Sequence, residues 1–156
     1  MFYWWLGVAA AWVVVDQLTK FWAVNTLLKG QSIDLLPVLN LTLGFNTGAA
    51  FSILGGGHGW QRWLLAVVAG LVSAYLIYWL RQIASGERWP AVGLTLVLAG
   101  AIGNLIDRIR LGYVIDFIHM YYQDYHWPIF NIADIGITVG VGIFLLAMFK
   151  NGNRSP

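Results

Sequence analysis

Four long apolar stretches constrain the fold of this chain more than any other feature of its sequence. They cover about residues 2–24, 63–80, 89–106 and 129–149. A helix needs about 20 apolar residues to cross the hydrocarbon core of a bilayer. Because unpaired backbone groups are costly in hydrocarbon, such stretches cross membranes as helices. The sequence therefore predicts an all-α membrane protein with four transmembrane helices.

The composition agrees with a membrane protein. Hydrophobic residues make up 59% of the 156 residues and charged residues only 10%, against about 25% charged residues in a soluble domain. Four helices leave too little chain for a second domain, so we expect one integral-membrane domain over residues 1–156. The first stretch has no basic residue before Lys20 and is longer than the apolar core of a cleaved signal peptide, so we expect it to be retained.

Cysteine content and charge exclude several classes of function. The chain has no Cys, which rules out disulfides, thiolate metal sites and a Cys nucleophile. A net charge of +2 gives no reason to expect a nucleic-acid partner. Lys and Arg are equally frequent on the two sides of the predicted bundle, so the positive-inside rule does not orient it. The acidic residues weakly favour termini in the cytoplasm.

Two loops have structure of their own. "LNLTLGFN" (39–46) alternates apolar and polar residues, which is typical of a strand, and we expect a small extracytoplasmic β element over about residues 31–54. The glycines at 55–57 predict a flexible segment before the second helix. In "VIDFIHMYY" (114–122), apolar residues recur at spacings of three and four. This spacing predicts a short interfacial helix over about residues 112–122.

Polar residues inside the predicted spans are the candidates for function, because they are costly in a membrane. Asp16 and Lys20 stand four residues apart in the first span, on one helix face where they can pair. We favour a structural ion pair, with Lys20 extending to the membrane surface. Asn104 and Arg108 have the same spacing at the end of the third span. Hydrogen bonding between helices and orientation of a nearby acid are equally open for these two residues.

Two carboxylates are expected at one depth in the membrane. Asn131 and Asp134 share a face of the fourth helix, and Pro128 shortly before them is well placed to start that helix. Asp134 should therefore lie near the surface opposite the termini, and Asp116 is expected in the interfacial segment on that same side. Helix capping with solvation explains the two aspartates most simply. If the carboxylates are close, however, they can share a proton and act as acid and base.

Metal and serine chemistry are poorly supported. His119 and His126 have no spacing to the acids that matches a common metal site. Ser52 lacks the G-x-S-x-G context of a nucleophile. We expect no metal and no other cofactor.

Four motifs together resemble one family, the bacterial lipoprotein signal peptidases (signal peptidase II). They are "DQLTK" (16–20), "FNTGAAFS" (45–52), "GNLIDRIRLGYVIDFI" (103–118) and "FNIADIG" (130–136). They occur in the family's order and cover most of the chain. One departure is Ile135, where a hydroxyl residue is frequent in the family.

The resemblance implies an aspartic endopeptidase of the bacterial inner membrane with four spans and cytoplasmic termini. It implies cleavage of prolipoproteins just before a Cys that carries diacylglycerol, near the outer leaflet surface, and inhibition by globomycin. Membrane lipids would be its surroundings, and no metal would be used. The family's catalytic aspartates correspond to Asp116 and Asp134. Its supporting polar residues correspond to Asp16, Lys20, Asn46, Asn104, Arg108 and Asn131.

Two other classes of function compete with this interpretation. A small proton-coupled transporter also carries buried acids and amides in its spans, although here the acids lie at one interface and do not cross the bilayer. A membrane scaffold or chaperone would need no carboxylate pair, and substitution of the aspartates would leave it unaffected.

Overall fold

Four long helices form the body of the protein. The computed structural model describes residues 1–48, 59–83 and 87–152. The helices are α1 (Phe2–Thr26), α2 (Trp60–Gln82), α3 (Arg88–Arg110) and α4 (Ile132–Gly152). Among the described residues, α2, α3 and α4 are long and apolar enough to cross a membrane. With 25 residues, α1 is about 37 Å long at 1.5 Å per residue, and it carries more polar side chains.

Helix α3 lies at the centre and packs against the other three helices. Small residues let the backbones of α3 and α4 approach closely, as is common between membrane helices. A side chain at Gly93 would place its Cβ 2.8 Å from the Gly140 carbonyl oxygen of α4, which is too close for a real Cβ. Larger side chains from α1, α2 and α3, including Leu76, Leu94 and Leu98, fill the remaining core.

A four-stranded antiparallel sheet stands at one end of the bundle. Its strands are β1 (Ser32–Leu36), β2 (Leu39–Asn46), β3 (Val114–Tyr122) and β4 (Tyr125–His126), in the order β1-β2-β3-β4. The predicted β element over 31–54 is confirmed for β1 and β2. Residues 49–54 and the glycines at 55–57 lie outside the described residues, as does Ser52.

The predicted interfacial helix over 112–122 is wrong, because this segment forms strand β3. Its first four residues, Val114 to Phe117, are all buried, so both faces of the strand are covered and apolar residues do not alternate. On one edge β3 pairs with β2. On the other, Phe130 exchanges backbone hydrogen bonds with Ile118. That pairing also explains why α4 begins at Ile132 and not at residue 129.

The sheet is fixed to the bundle by an apolar cluster at the end of α1. Ala23 and Leu27 of α1 pack against Leu43 of β2 and against Ile115 and Phe117 of β3. Because β3 directly follows α3 and precedes α4, this packing holds the sheet over the ends of those two helices.

Candidate active site

Asp134 lies in the first turn of α4 and helps to cap its own helix. The Asn131 Oδ1 accepts the Asp134 backbone N–H at 3.0 Å, and the Asp134 Oδ2 accepts the Asn131 N–H at 3.2 Å. This reciprocal pair is a capping box, which satisfies N–H groups that a helix start leaves unpaired. The capping interpretation is therefore correct for one oxygen of Asp134. The other oxygen, Oδ1, accepts a hydrogen bond from Asn104 Nδ2 at 2.8 Å. The capping interpretation is wrong for Asp116, which lies in a strand and is buried away from solvent.

Asp116 lies in β3, with only 3% of its surface exposed. Its Oδ1 accepts a hydrogen bond from Asn131 Nδ2 at 2.6 Å, and the Asn46 side chain donates a second hydrogen bond. Burial and the neighbouring Asp134 carboxylate raise the pKa of Asp116 to about 7, against the opposing effect of the two amides. The Asp116 carboxyl group is therefore ready to gain or lose a proton near neutral pH.

The side chain and backbone of Asn131 bring the two carboxylates together. Its Nδ2 contacts Asp116 and its backbone N–H contacts Asp134. From here on we call Asp116 and Asp134 the dyad. The charge of Asp134 acts on the Asp116 carboxyl group, and neighbouring carboxylates cannot both ionise cheaply, so such a pair can share a proton. Such a pair can supply a general acid and a general base at the same place.

Asn104 connects the dyad to the interior of the bundle. Its Nδ2 donates to Asp134, while its Oδ1 lies 3.0 Å from Lys20 Nζ and 3.2 Å from Asn131 Nδ2. Both interpretations left open by the sequence therefore apply to this amide, since it joins three helices and also orients an acid.

Arg108 lies one turn further along α3 than Asn104, and its guanidinium group places a positive charge near the dyad. Its Nη1 lies 3.4 Å from the Asn104 carbonyl oxygen and its Nη2 lies 3.3 Å from the Gly48 carbonyl oxygen. The guanidinium charge acts on the carboxylates of both Asp116 and Asp134.

Asp16 and Lys20 form an ion pair of 2.9 Å, as their spacing suggested. The expected extension of Lys20 to the membrane surface is wrong, because its side chain is only 2% exposed. Its Nζ has three buried oxygen partners, on Asp16, Asn104 and Asp107. These partners satisfy the ammonium group inside the bundle, so it has no need to reach water.

Sequence reasoning missed Asp107 and Gln17. The third apolar stretch ends at residue 106, which left Asp107 outside the predicted span, but α3 continues to Arg110 and Asp107 is buried. The Gln17 Nε2 donates to Asp107 Oδ1 at 2.9 Å. The available signal was spacing: Asp107 follows Asn104 by three residues and therefore shares its helix face.

The histidines lie elsewhere on the sheet. His119 Nδ1 is 3.1 Å from Asn40 Oδ1, and the two imidazoles of His119 and His126 are within hydrogen-bond distance at 3.2 Å. Within residues 1–48, 59–83 and 87–152, no group of three or more His, Cys, Asp or Glu side chains is arranged to hold a metal ion.

A bundle of long apolar helices that brings two carboxylates together on one asparagine is the arrangement expected of a membrane aspartic hydrolase. Comparison with known proteins identifies the group within that class. Residues 8–150 match the family described as Signal peptidase (SPase) II, and the chain belongs to this family of membrane peptidases. Family membership decides against the transporter and scaffold alternatives.

Related proteins align with nearly the whole of this chain. The chain is 50% identical to a lipoprotein signal peptidase of Pseudomonas putida over 149 residues, covering 94% of this chain and 87% of that protein. It is 48% identical to a lipoprotein signal peptidase of Acinetobacter baumannii over 152 residues, covering 97% of this chain and 86% of that protein. Two solved structures described as bacterial membrane enzymes superpose with TM-scores of 0.87 and 0.82. They are 34% and 35% identical, and the alignments cover 97% and 94% of this chain and 91% and 92% of theirs.

Proposed function

We propose that this protein removes signal peptides from prolipoproteins by cleaving just before a diacylglyceryl-modified Cys, with Asp116 and Asp134 as its catalytic dyad. The observation that carries this proposal is the pair of carboxylates held on Asn131. The pKa of about 7 at Asp116, raised by burial and by Asp134, supports acid–base chemistry at neutral pH.

The dyad acts on the scissile peptide bond through one shared proton. The ionised carboxylate takes a proton from a water molecule as the water oxygen attacks the carbonyl carbon. The protonated carboxyl group gives its proton to the carbonyl oxygen, which yields a neutral tetrahedral diol. As the diol collapses, the ionised carboxylate takes a proton from one diol hydroxyl and the protonated carboxyl group gives its proton to the leaving nitrogen. The carbon–nitrogen bond breaks, and a carboxylic acid and an amine are formed. The dyad is left with one proton, as at the start.

Four polar residues support this chemistry in distinct ways. Asn131 and Asn104 donate hydrogen bonds that fix the carboxylate planes. Arg108 offsets the negative charge that the dyad carries. Asn46 lies at the end of β2 and contacts Asp116, where it can also hydrogen-bond the extended backbone of the substrate.

We propose four membrane spans, formed by α1 to α4, with both termini in the cytoplasm. The dyad then lies near the outer leaflet surface, because Asp134 is in the first turn of α4 and the sheet stands at that same end. A substrate whose signal helix spans the bilayer presents its lipid-modified Cys at this depth. Membrane lipids would surround the bundle, and the peptide antibiotic globomycin would compete with the substrate.

Purified protein in detergent, supplied with a lipid-modified precursor, tests the proposal. Cleavage should occur before the modified Cys, and Asp116→Asn or Asp134→Asn should each abolish it while the protein remains folded. Asp34→Asn is the matched control, since Asp34 is exposed on the edge strand β1 and should leave cleavage intact. Full cleavage by either dyad variant would refute the assignment, and inhibition by a chelator would indicate a metal enzyme.

A further inference from the structure

The residue directly before each dyad carboxylate is held by a buried acid from another part of the chain. The Ala133 N–H donates to Asp16 Oδ1 of α1 at 2.9 Å. The Ile115 N–H donates to Asp107 Oδ2 of α3 at 3.2 Å. The backbone leading into Asp134 and the backbone leading into Asp116 are therefore anchored in the same way.

These two anchoring acids are joined to each other. The Lys20 Nζ lies 2.9 Å from Asp16 Oδ2 and 2.9 Å from Asp107 Oδ2. The Gln17 Nε2 lies 3.2 Å from Asp16 Oδ2 and 2.9 Å from Asp107 Oδ1. The ammonium and amide groups thus bridge the two acids, and both acids and Lys20 are almost completely buried. We call Asp16, Gln17, Lys20 and Asp107 the bridged-acid cluster.

We propose that Asp107 is a positioning residue for the dyad, acting through this cluster. Asp107 fixes the start of β3 and Asp16 fixes the start of α4. The bridge between them sets the distance between the two backbones, and with it the distance over which the dyad shares its proton. This inference rests on the proposed role of Asp116 and Asp134 as the catalytic pair.

Helix association alone does not account for this arrangement. Buried charges cost desolvation energy, and apolar side chains of similar volume would join the helices at least as well. The cluster instead directs one oxygen at each of the two N–H groups that precede the dyad. Displacement of a reacting group by about 1 Å can lower a catalytic rate by about 100-fold, so fixing these two points has a direct effect on chemistry.

Asp107→Asn tests the proposal with a nearly isosteric change. Asn has a single acceptor oxygen, so it cannot accept hydrogen bonds from Ile115, Lys20 and Gln17 with two oxygens as Asp does. We expect kcat to fall by about 10- to 100-fold, with KM changed much less. Thr95→Val is the matched control. Thr95 is also buried on α3, but its hydroxyl donates to Ala91 O of the same helix, so kcat should be retained.

The pH profile supplies a readout that loss of folded protein would not change. The alkaline limb reports the pKa of about 7 at Asp116, raised by burial and by Asp134. A wider dyad weakens that repulsion, and loss of the Asp107 charge acts in the same direction, so the limb should move to lower pH. Among the described residues, the charged groups that act on Asp116 are Asp134 of α4, Arg108 of α3 and Lys20 of α1. Asp107 of α3 accepts the adjacent Ile115 N–H, and Asp16 of α1 acts on Asp134.

Gln17→Met keeps every charge and removes the amide bridge together with the hydrogen bond from Gln17 Nε2 to the Gly103 carbonyl oxygen, so it decides the matter if Asp107→Asn does not fold. It should lower kcat and shift the alkaline limb in the same sense, by a smaller amount. Unchanged kcat and an unchanged profile in the folded variants would overturn the inference, as would an equal loss in Thr95→Val. Wild-type protein that cleaves no precursor would instead overturn the proposed function.

Discussion

Replacing Asp116 by Asn should abolish cleavage and, at alkaline pH, make the protein more stable. Burial and the Asp134 carboxylate raise the pKa of Asp116 from its ordinary value of 3.8 to about 7. Between these two values the folded protein holds a proton that the unfolded chain has released. The free energy of unfolding therefore falls as the pH rises through this window, and above it the folded protein carries the full cost of a buried carboxylate.

The size of the effect follows from the two pKa values. Their difference of about three pKa units corresponds to about 4 kcal/mol at about 1.4 kcal/mol per unit. Asn is neutral throughout, and its amide oxygen can still accept the hydrogen bond that Asn131 Nδ2 donates at 2.6 Å. The variant and the wild type should therefore be about equally stable near pH 4. The variant should gain up to about 4 kcal/mol near pH 8.

Thermal unfolding in detergent micelles, followed by tryptophan fluorescence across this pH range, measures the difference. A gain of this size raises Tm by roughly 8 to 16 °C for a chain of this length. Asp124→Asn serves as the control, because Asp124 is exposed in the turn between β3 and β4 and should leave the pH dependence unchanged. A Tm difference that is constant with pH, or a wild type that is more stable near pH 8, would refute the reasoning.

Three further substitutions test the packing, the buried charge and the cap. Gly93→Ala should lower the free energy of unfolding by about 1–3 kcal/mol, because the added methyl group would be overpacked against α4. Gly7→Ala is the control, since a Cβ added at Gly7 would meet no atom of the described residues within 4 Å. A comparison of the Tm values of the two variants checks this. Lys20→Met leaves two buried carboxylates without their cation, so we expect the free energy of unfolding to fall by about 3–5 kcal/mol. The same thermal unfolding assay measures this, and a variant as stable as the wild type would contradict the expectation. Asn131→Ser keeps a good N-cap but removes the amide donor to Asp116. Its Tm should fall by only a few degrees while kcat falls by about 10- to 100-fold, and the reverse pattern would argue against a role in the dyad.

The four helices were predictable because each contains a long, nearly continuous apolar stretch, and a helix pairs all of its own backbone groups within such a stretch. Strand β3 was not, for a physical reason. A strand with one covered face alternates apolar and polar residues, as β2 does. The run from Val114 to Phe117 is buried on both faces, so its pattern also fits a helix. Only the backbone pairing of this segment, with β2 on one edge and with Phe130 on the other, shows that it is a strand and not a helix.

The site shows the same division between local and long-range information. The pairing of Asp16 with Lys20, and of Asn131 with Asp134, follows from helical spacing and needs no tertiary structure. The meeting of Lys20 with Asp107 depends on how α1 packs on α3, which no spacing within one helix reveals. Asp107 was also hidden by the boundary of its helix: the apolar stretch ends at residue 106, while α3 continues for another turn because its polar residues find partners inside the bundle.

The position of Asp134 meets two requirements at once, which explains how a carboxylate is tolerated at this place in a membrane helix. Its Oδ2 completes the capping box with Asn131 and its Oδ1 meets Asn104, so both oxygens are satisfied within the first turn of α4. Adjacent helical residues point about 100° apart. A carboxylate at residue 133 or 135 would therefore miss Asn104, and it would no longer be three residues after the cap, where a reciprocal capping bond is possible. The hydrogen bonds that stabilise the start of α4 also hold Asp134 beside Asn131, whose side chain donates to Asp116, so the cap contributes both to the stability of the helix and to the position of the dyad.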